Sequence, residues 1–446
     1  MLCMYVLYYF SYGVILDMIH CCKNKSSIRL TAGWITLLLA LLPVLAVAAQ
    51  DILTLSESET LALEADLTAP RFEALANARK EQAVAVGQLP DPKLKLGAIN
   101  LPIASFDREQ EAMTQMQIGI QQAFPAGRTL GLRSEQAAVM VGAEQARART
   151  MTRQVLRDVR ERYLDIFYQI EAGRIIDISR ELFDQLLEVT RFYYAQGRKN
   201  QQDVLRASVE LALLDDRRTR VRTAEDRMRA DLARLIGPQA AYRPLTKAFP
   251  GVGKLPSRAD LDAAIIAHPS LKVDDIVVKA GQLGVDIARQ SYKPSWMLDV
   301  TYGNRAGENP DGSSRDDFLT TMVTMDIPLF TNKRQDRVLA TRQQEVEAAR
   351  LKRDDSYLRL KRQLDADYAE WLRLDERLKL YQETIFPEAI QNAETSLTAY
   401  QSGVTDFTGV MRARITELDV KLQKLRIRVD KAKAEARLLY LANTSR

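Results

Sequence analysis

The chain has 446 residues, of which 46% are apolar and 27% charged, and it carries a net charge of +5. That length can hold two or three globular domains, and ordinary aromatic, glycine and proline usage excludes collagen-like or disordered architecture. Lysine and arginine are interspersed with aspartate and glutamate instead of gathering in one patch, which argues against nucleic acid as a partner.

Residues 1 to 49 stand apart from the body of the chain. Lys23, Lys25 and Arg29 precede an apolar run from Leu30 to Val47, interrupted by Thr31, Gly33 and Thr36, and the small-residue stretch AVAAQ follows. This order is that of a secretory signal. A retained anchor is the alternative, because the run is about long enough to span a bilayer. The preceding stretch is unusual for a signal, and a translation start at Met18 accounts for it. Cys3, His20, Cys21 and Cys22 all fall in this segment, so the mature chain keeps no cysteine and one histidine, His268. It forms no disulfide, assembles no Cys/His metal site within one subunit, and offers no lipidatable cysteine after the cleavage point. Losing Lys23, Lys25, Arg29 and Asp17 moves the net charge from +5 to +3.

From residue 50 onward the predicted elements come in two similar sets, 50–250 and 251–446. The first strand, about 93–101, alternates Leu94, Leu96 and Ala98 with Lys93, Lys95 and Gly97, which places the two sets on opposite faces. A polar loop leads to a second strand, about 114–124, where Met116, Ile118 and Ile120 oppose Gln115, Gln117, Gly119 and Gln121. Pro92 and Pro125 bracket the pair, as suits a residue that lacks a ladder donor and breaks helices. From Arg128 to Gln196 only Gly131, Gly142 and Gly173 interrupt a helical pattern, and a continuous helix there is roughly 100 Å long.

That helix ends in YYAQGRKNQQDVLRA, Tyr193 to Ala207, and the chain repeats the device as AYQSGVTDFTGVMRA, so that Tyr194, Gly197, Val204 and Arg206 match Tyr400, Gly403, Val410 and Arg412. Each glycine sits where a helix takes a left-handed C-terminal residue, and Asn200 or Thr405/Asp406 follow as N-caps. Two hairpins of long antiparallel helices result, with tips at 197–200 and 403–406. After the first tip Leu214, Val221, Met228 and Leu235 are spaced by seven.

In the second set Trp296, Leu298, Val300 and Tyr302 alternate with Met297, Asp299, Thr301 and Gly303, defining a strand at about 296–304. The next, about 317–327, sets Val323, Met325 and Ile327 against Thr324 and Asp326, with Phe318 and Met322 blurring the pattern. Pro294 and Pro328 bracket this pair. Pro387 is expected to kink the following helix, and the first set has no equivalent. Beyond the second tip Met411, Ile415, Leu418, Leu422, Leu425, Val429, Ala432, Ala436 and Leu439 step by four and three, the heptad period of helices that supercoil on neighbours.

Four amphipathic strands cannot close a barrel around a lumen, which takes about eight or more. Strands pooled from two or three subunits can, and the polar positions Gln115, Gln117, Gln121, Asp299, Thr301, Thr324 and Asp326 then line the interior. In a membrane only helices and closed barrels satisfy every backbone group. The fold class expected is an α+β membrane protein of long antiparallel helical hairpins and four transmembrane strands per chain, with two internal repeats.

The segments LPDPKLKLGAINLP, EAMTQMQIGIQQAFPAGR, YAQGRKNQQDVLRASVEL and MDIPLFTNKRQDR resemble those of TolC-like outer-membrane efflux proteins, in particular the heavy-metal, CzcC-like branch. The resemblance covers nearly all of residues 50 to 446. It implies a homotrimer with a shared twelve-stranded barrel in outer-membrane lipid and a helical tunnel in the periplasm of a bacterial cell. It further implies helix tips that meet a periplasmic adaptor fed by an inner-membrane pump of the resistance-nodulation-division class, and export of metal cations or other small molecules. The docking tips are then Gly197, Arg198, Lys199 and Asn200 with Gly403, Val404, Thr405 and Asp406. Relatives ring the tunnel entrance with acids, whereas the matching positions here are Gly409 and Arg412, and in the first half Asp203 and Arg206.

No catalytic constellation and no cofactor site stands out. His268, in AHPSL, precedes Pro269 at a helix boundary and reads as structural. Met113, Met116, Met322 and Met325 are soft ligands in principle, but their strand setting points to lipid or interface packing. Two other readings stay open: a similar channel whose cargo is a drug or a polypeptide, and a secreted coiled-coil scaffold without a pore.

Overall fold

A computed structural model describes residues 52–198 and 200–442. The expected signal segment, residues 1 to 49, and Lys199 of the first tip lie outside the described residues.

The first half opens with α1 (Leu55–Ala65) and α2 (Thr68–Ala85), followed by β1 (Lys93–Ile99), β2 (Gln115–Phe124), α3 (Thr129–Ala195), α4 (Gln201–Ile236) and the single turn α5 (Pro238–Ala241). The second half repeats the order with α6 (Arg258–Ile266), α7 (Pro269–Gln290), β3 (Ser295–Asn304), β4 (Phe318–Asp326), α8 (Gln335–Leu380), α9 (Phe386–Gln401) and α10 (Phe407–Leu441). Matching helices begin with matching caps: Thr54 accepts from the Glu57 amide before α1, and Ser257 from the Asp260 amide before α6. At the next joint Asp66 accepts from the Thr68 and Ala69 amides, while His268 Nδ1 accepts from the Ser270 amide before α7.

The prolines do what their chemistry dictates. β1 starts one residue after Pro92, β2 ends one before Pro125, and β3 starts one after Pro294. Pro387 follows a disturbance of its helix, a π-helical turn, Tyr381–Ile385, whose end is marked by the Phe386 amide bonding to the Tyr381 carbonyl. The wider turn makes room for the proline ring, which in a regular α-helix clashes with the carbonyl four residues back. α8, the π turn and α9 have 46, 5 and 16 residues, together the 67 of the unbroken α3.

The four strands form one antiparallel sheet in the order β1-β2-β3-β4. Two of its three pairings are hairpins; the third, β2 with β3, joins the halves in the register Gly119 opposite Thr301 and Phe124 opposite Trp296. Strand ends fall within two residues of expectation, and Met113 and Thr114 lie in the loop before β2.

The helices form a layer held by heptad-type packing. Leu214, Met411, Leu418, Val429, Ala432 and Ala436 are buried, and Val221, Met228, Leu235, Ile415, Leu422, Leu425 and Leu439 pack against them. One core lies mid-length around Tyr163, Leu164 and Phe167, where Leu53 bridges to Leu245 and its carbonyl accepts from the Tyr163 hydroxyl at 2.8 Å. A second unites the two tips around Tyr400 and Phe407. No described helix is long and apolar enough to cross a membrane.

Candidate functional site

The sheet is built inside out relative to a water-soluble one. Its apolar face carries Leu94 and Leu96 from β1, Met116, Ile118 and Ile120 from β2, Trp296, Leu298, Val300 and Tyr302 from β3, and Leu319, Val323 and Met325 from β4, and all are exposed. The polar face is the better buried one, with Gln115, Asp299 and Thr301 at 7%, 8% and 5% exposure. Strand periodicity and register put Gln115, Gln117, Gln121, Asp299, Thr301, Thr324 and Asp326 on that one polar face. Phe318 and Met322 share it, which is why β4 reads ambiguously: its apolar face is Leu319, Val323 and Met325 with Thr321. Met322 therefore differs from Met116 and Met325, which lie on the apolar face, and from Met113, which lies in no strand.

A network of side-chain hydrogen bonds runs across the polar face. Gln117 Nε2 donates to Gln115 Oε1 at 3.0 Å. Asp299 accepts from Lys95 Nζ at 2.6 Å, from Thr301 Oγ1 at 2.7 Å and from Gln121 Nε2 at 3.3 Å. Lys95 on β1 reaches Asp299 on β3 because the strand between them has Gly119 at the crossing. A Cβ there would lie 2.4 Å from Thr301 Oγ1 and 3.0 Å from the Val300 carbonyl, so no larger residue fits unless the strands shift. Lys95 and Asp299 thus neutralise each other within one chain. Alternation flagged both residues as polar, but their meeting depends on the β2–β3 pairing.

Two aromatic groups mark the ends of the apolar face. Phe124 and Trp296 pair at 6.2 Å beside the helices, and Tyr302 lies toward the loops, where its hydroxyl donates to Asp317. The loops of the two hairpins are latched together. Arg315 donates to the carbonyls of Glu109, Glu111 and Ala306, Arg305 to that of Ala112, and Arg108 to Asn304.

At the helix tips the two turns are built alike. Gly197 and Gly403 have φ of +68° and +80°. The Arg198 amide bonds to the Tyr193 carbonyl and that of Gly197 to Tyr194, and in the second half Val404 bonds to Ala399 and Gly403 to Tyr400. This is the six-to-one and five-to-two pattern that satisfies the last carbonyls of a helix. Gly197, Arg198, Asn200, Gly403, Val404 and Asp406 are exposed and Thr405 is half-buried.

Asn200 and Asp406 hold the N-cap positions expected of them, but only Asp406 makes a side-chain capping bond. Asp406 occupies the N-cap of α10 and accepts from the Gly409 amide at 2.9 Å, so Thr405 is not the cap. Asn200 holds the N-cap position of α4 without a side-chain capping bond. Of the entrance candidates, Asp203 and Arg206 are half-buried in the first turns of α4, Gly409 is half-buried and Arg412 exposed on α10. Arg206 donates to Thr408 of the other hairpin, and Arg217 pairs with Asp419 at 2.8 Å. These bonds bring Asp203, Arg206 and Gly409 to one end of the helical layer and leave Arg412 turned to solvent. Among the described residues no group of three His, Asp or Glu side chains is close enough to hold a metal ion.

Residues 261–444 match the family described as Outer membrane efflux protein. No curated protein matches the chain in sequence. Solved structures share its fold. CusC, studied for the conformational changes that accompany folding and transmembrane channel formation, superposes with a TM-score of 0.73 at 13% identity, over 88% of this chain and 92% of its own. The outer membrane protein VceC of Vibrio cholerae gives 0.72 at 16% identity, over 88% and 96%. The outer membrane channel MtrE of Neisseria gonorrhoeae, in its open state, gives 0.71 at 15% identity, over 87% and 88%.

Proposed function

We propose that the chain is one subunit of an outer-membrane efflux channel, a passive conduit whose energy comes from a partner pump. The observation that carries this reading is the inverted sheet. A dozen large apolar side chains, each roughly half exposed, would forfeit on the order of 10 kcal/mol if left in water, as much as the whole stability of a typical domain. Lipid removes that cost. β2 and β3 have ten residues each, within the 9–11 or so of a tilted membrane-spanning strand, and aromatic residues at both ends of the apolar band match the girdles of outer-membrane barrels.

Four strands whose outer edges on β1 and β4 find no partner among the described residues need further copies, and three copies give a barrel of twelve strands. Gln115, Gln117, Gln121, Asp299, Thr301, Thr324 and Asp326 then face the lumen. The tips, Gly197 to Asn200 and Gly403 to Asp406, form the end that docks a periplasmic adaptor, with Asp203, Arg206, Gly409 and Arg412 at the entrance. The motif resemblance favours metal cations as cargo. One observation favours small organic molecules instead: of the four entrance residues only Asp203 is acidic, and the exposed one is Arg412. A scaffold without a pore leaves the exposed apolar face unexplained.

Membrane fractionation, subunit counting by native mass spectrometry and conductance in planar bilayers test the reading. The expected result is an outer-membrane trimer that conducts; a water-soluble, non-conducting monomer would overturn it. Survival of a deletion strain on metal salts and on organic toxicants then separates the cargoes. Replacing both Gly197 and Gly403 with bulky residues is expected to abolish export and leave trimers intact, because β-branched or bulky residues at positive φ cost about 1 kcal/mol or more each and the tips carry the docking surface. Undiminished export in that variant would count against docking there.

A further inference from the structure

Below the tips, between α3, α10 and the start of α9, lies a cleft of about 360 Å³ lined by Ile175, Ile178, Phe386 and Leu425 together with Lys421, Lys424 and Arg428. Four of its lining side chains are apolar, and two of its three cations are unusual for this helix. From residue 414 to the end of α10, Arg414, Lys421, Arg426, Lys431, Lys433 and Arg437 each pair with a carboxylate. Lys424 and Arg428 do not, among the described residues; they lie over aromatic rings, Lys424 Nζ at 4.0 Å from the Phe386 centroid and Arg428 Cζ at 3.9 Å from that of Phe249. Lys421 is already engaged, donating to Glu417 at 2.7 Å.

Two cations one helical turn apart on α10 repel each other, and without an acid in reach the cheapest relief is an anion from outside. Burial, and then the neighbouring Arg428, hold the Lys424 ammonium below its ordinary range. The apolar wall sets the rest of the ligand. A bare inorganic anion would leave Ile175, Ile178 and Leu425 unused, while a neutral hydrocarbon would leave the two charges unmatched. We propose that this cleft binds a small amphiphilic anion, a carboxylate or sulfate head on an apolar body, with the head between Lys424 and Arg428 and the body against Ile175, Ile178 and Phe386. The volume lies within the range of small-molecule sites, about 300–1,000 Å³. The site belongs to the helical layer and stands whether or not the sheet forms a pore.

The test is photolabelling of the assembled protein in non-ionic detergent with a diazirine-bearing medium-chain carboxylate, beside the alcohol of the same chain, with labelled peptides mapped by mass spectrometry. The carboxylate is expected to label the peptides holding Ile175–Ile178 and Lys421–Arg428, and the alcohol to label them weakly. Lys424→Gln combined with Arg428→Gln should reduce the labelling roughly ten-fold, the effect of losing charge-assisted hydrogen bonds. Arg426→Gln, which removes a paired cation of the same helix, should not. Lys424→Gln alone keeps the test valid should the double variant fail to assemble. Equal labelling by the alcohol, unchanged labelling of the Lys424 and Arg428 variants, or no labelling at the cleft would overturn the proposal.

Discussion

The two tips are written with nearly the same residues and used in opposite ways. Tyr400 and Phe407 of the second tip are 2% and 1% exposed, packed edge to face at 5.7 Å in a core shared with Phe183, Leu186 and Leu187 of the first hairpin. The matching Tyr194 is 46% exposed, and the match to Phe407 is the exposed Gln201. On α4 the apolar side chains Leu205, Val209 and Leu213 are exposed in a stripe of four-residue steps. Copying a hairpin within one chain therefore does not copy its environment. The second tip spends its aromatic face on the first, and the first keeps an apolar face of its own that a further copy or a partner can cover.

The largest effect comes from breaking the buried side of this asymmetry. Phe407→Ala removes a fully enclosed ring and is expected to cost about 3–5 kcal/mol in the tip, seen as faster hydrogen exchange at the ends of α9 and α10. The mirror change, Gln201→Ala, falls on an exposed position and should stay within about 0.5 kcal/mol. Similar losses from both would mean that the tips share the burial equally and the comparison fails.

The joints between the short and longer helices sharpen the contrast through pH. His268 and Asp66 cap corresponding helices, but His268 is enclosed, packed edge to face on Tyr440 at 5.3 Å. Burial, and after it the nearby Arg153, push its pKa down to about 4, against a smaller opposing pull from the Tyr440 backbone. The unfolded chain therefore binds a proton here near pH 6.5 that the fold resists until about pH 4. Stability from this site is complete above the unfolded value and is lost as pH falls through that window, by ~3 kcal/mol in total. His268→Asn keeps an acceptor at the N-cap and removes the titration. The stability difference between wild type and variant should thus shift in favour of the variant between pH 6.5 and 4, measured by denaturant unfolding across that range; a difference independent of pH would refute the buried neutral histidine.

Local chemistry made much of this plan legible. Alternation placed Gln117, Asp299 and Thr301 on one face because a strand has a fixed period of two, and the prolines marked strand ends because they cannot donate to a ladder. The repeated glycine located both tips because a left-handed helix end favours that residue. What stayed hidden depends on contacts between distant segments. Nothing near Lys95 names Asp299 as its partner; the pair needs the β2–β3 pairing and the gap left by Gly119. Phe318 and Met322 blurred β4 because they are apolar side chains on the sheet's polar face. Pro387 announced a disturbance, but nothing in the local sequence specified that it would be a π turn at Tyr381–Ile385. The burial of Tyr400 and exposure of Tyr194 could not be read from two identical tyrosines at all.

The smallest effect separates the tips at their caps. Asp406 satisfies the Gly409 amide and adds negative charge at the N-terminus of α10, where the helix dipole is positive, so Asp406→Ala should cost about 1 kcal/mol. Asn200 stands in the same place before α4 with no side-chain bond, so Asn200→Ala should cost only a few tenths of that. Asn200→Asp turns the comparison around. If the first tip lacks a cap merely because its side chain is the wrong one, the aspartate should slow hydrogen exchange in the first turn of α4 to the level of α10. If α4 starts at an angle that holds the cap side chain away from the amides, exchange there should not change, and the asymmetry of the two tips would lie in the backbone and not in the residue.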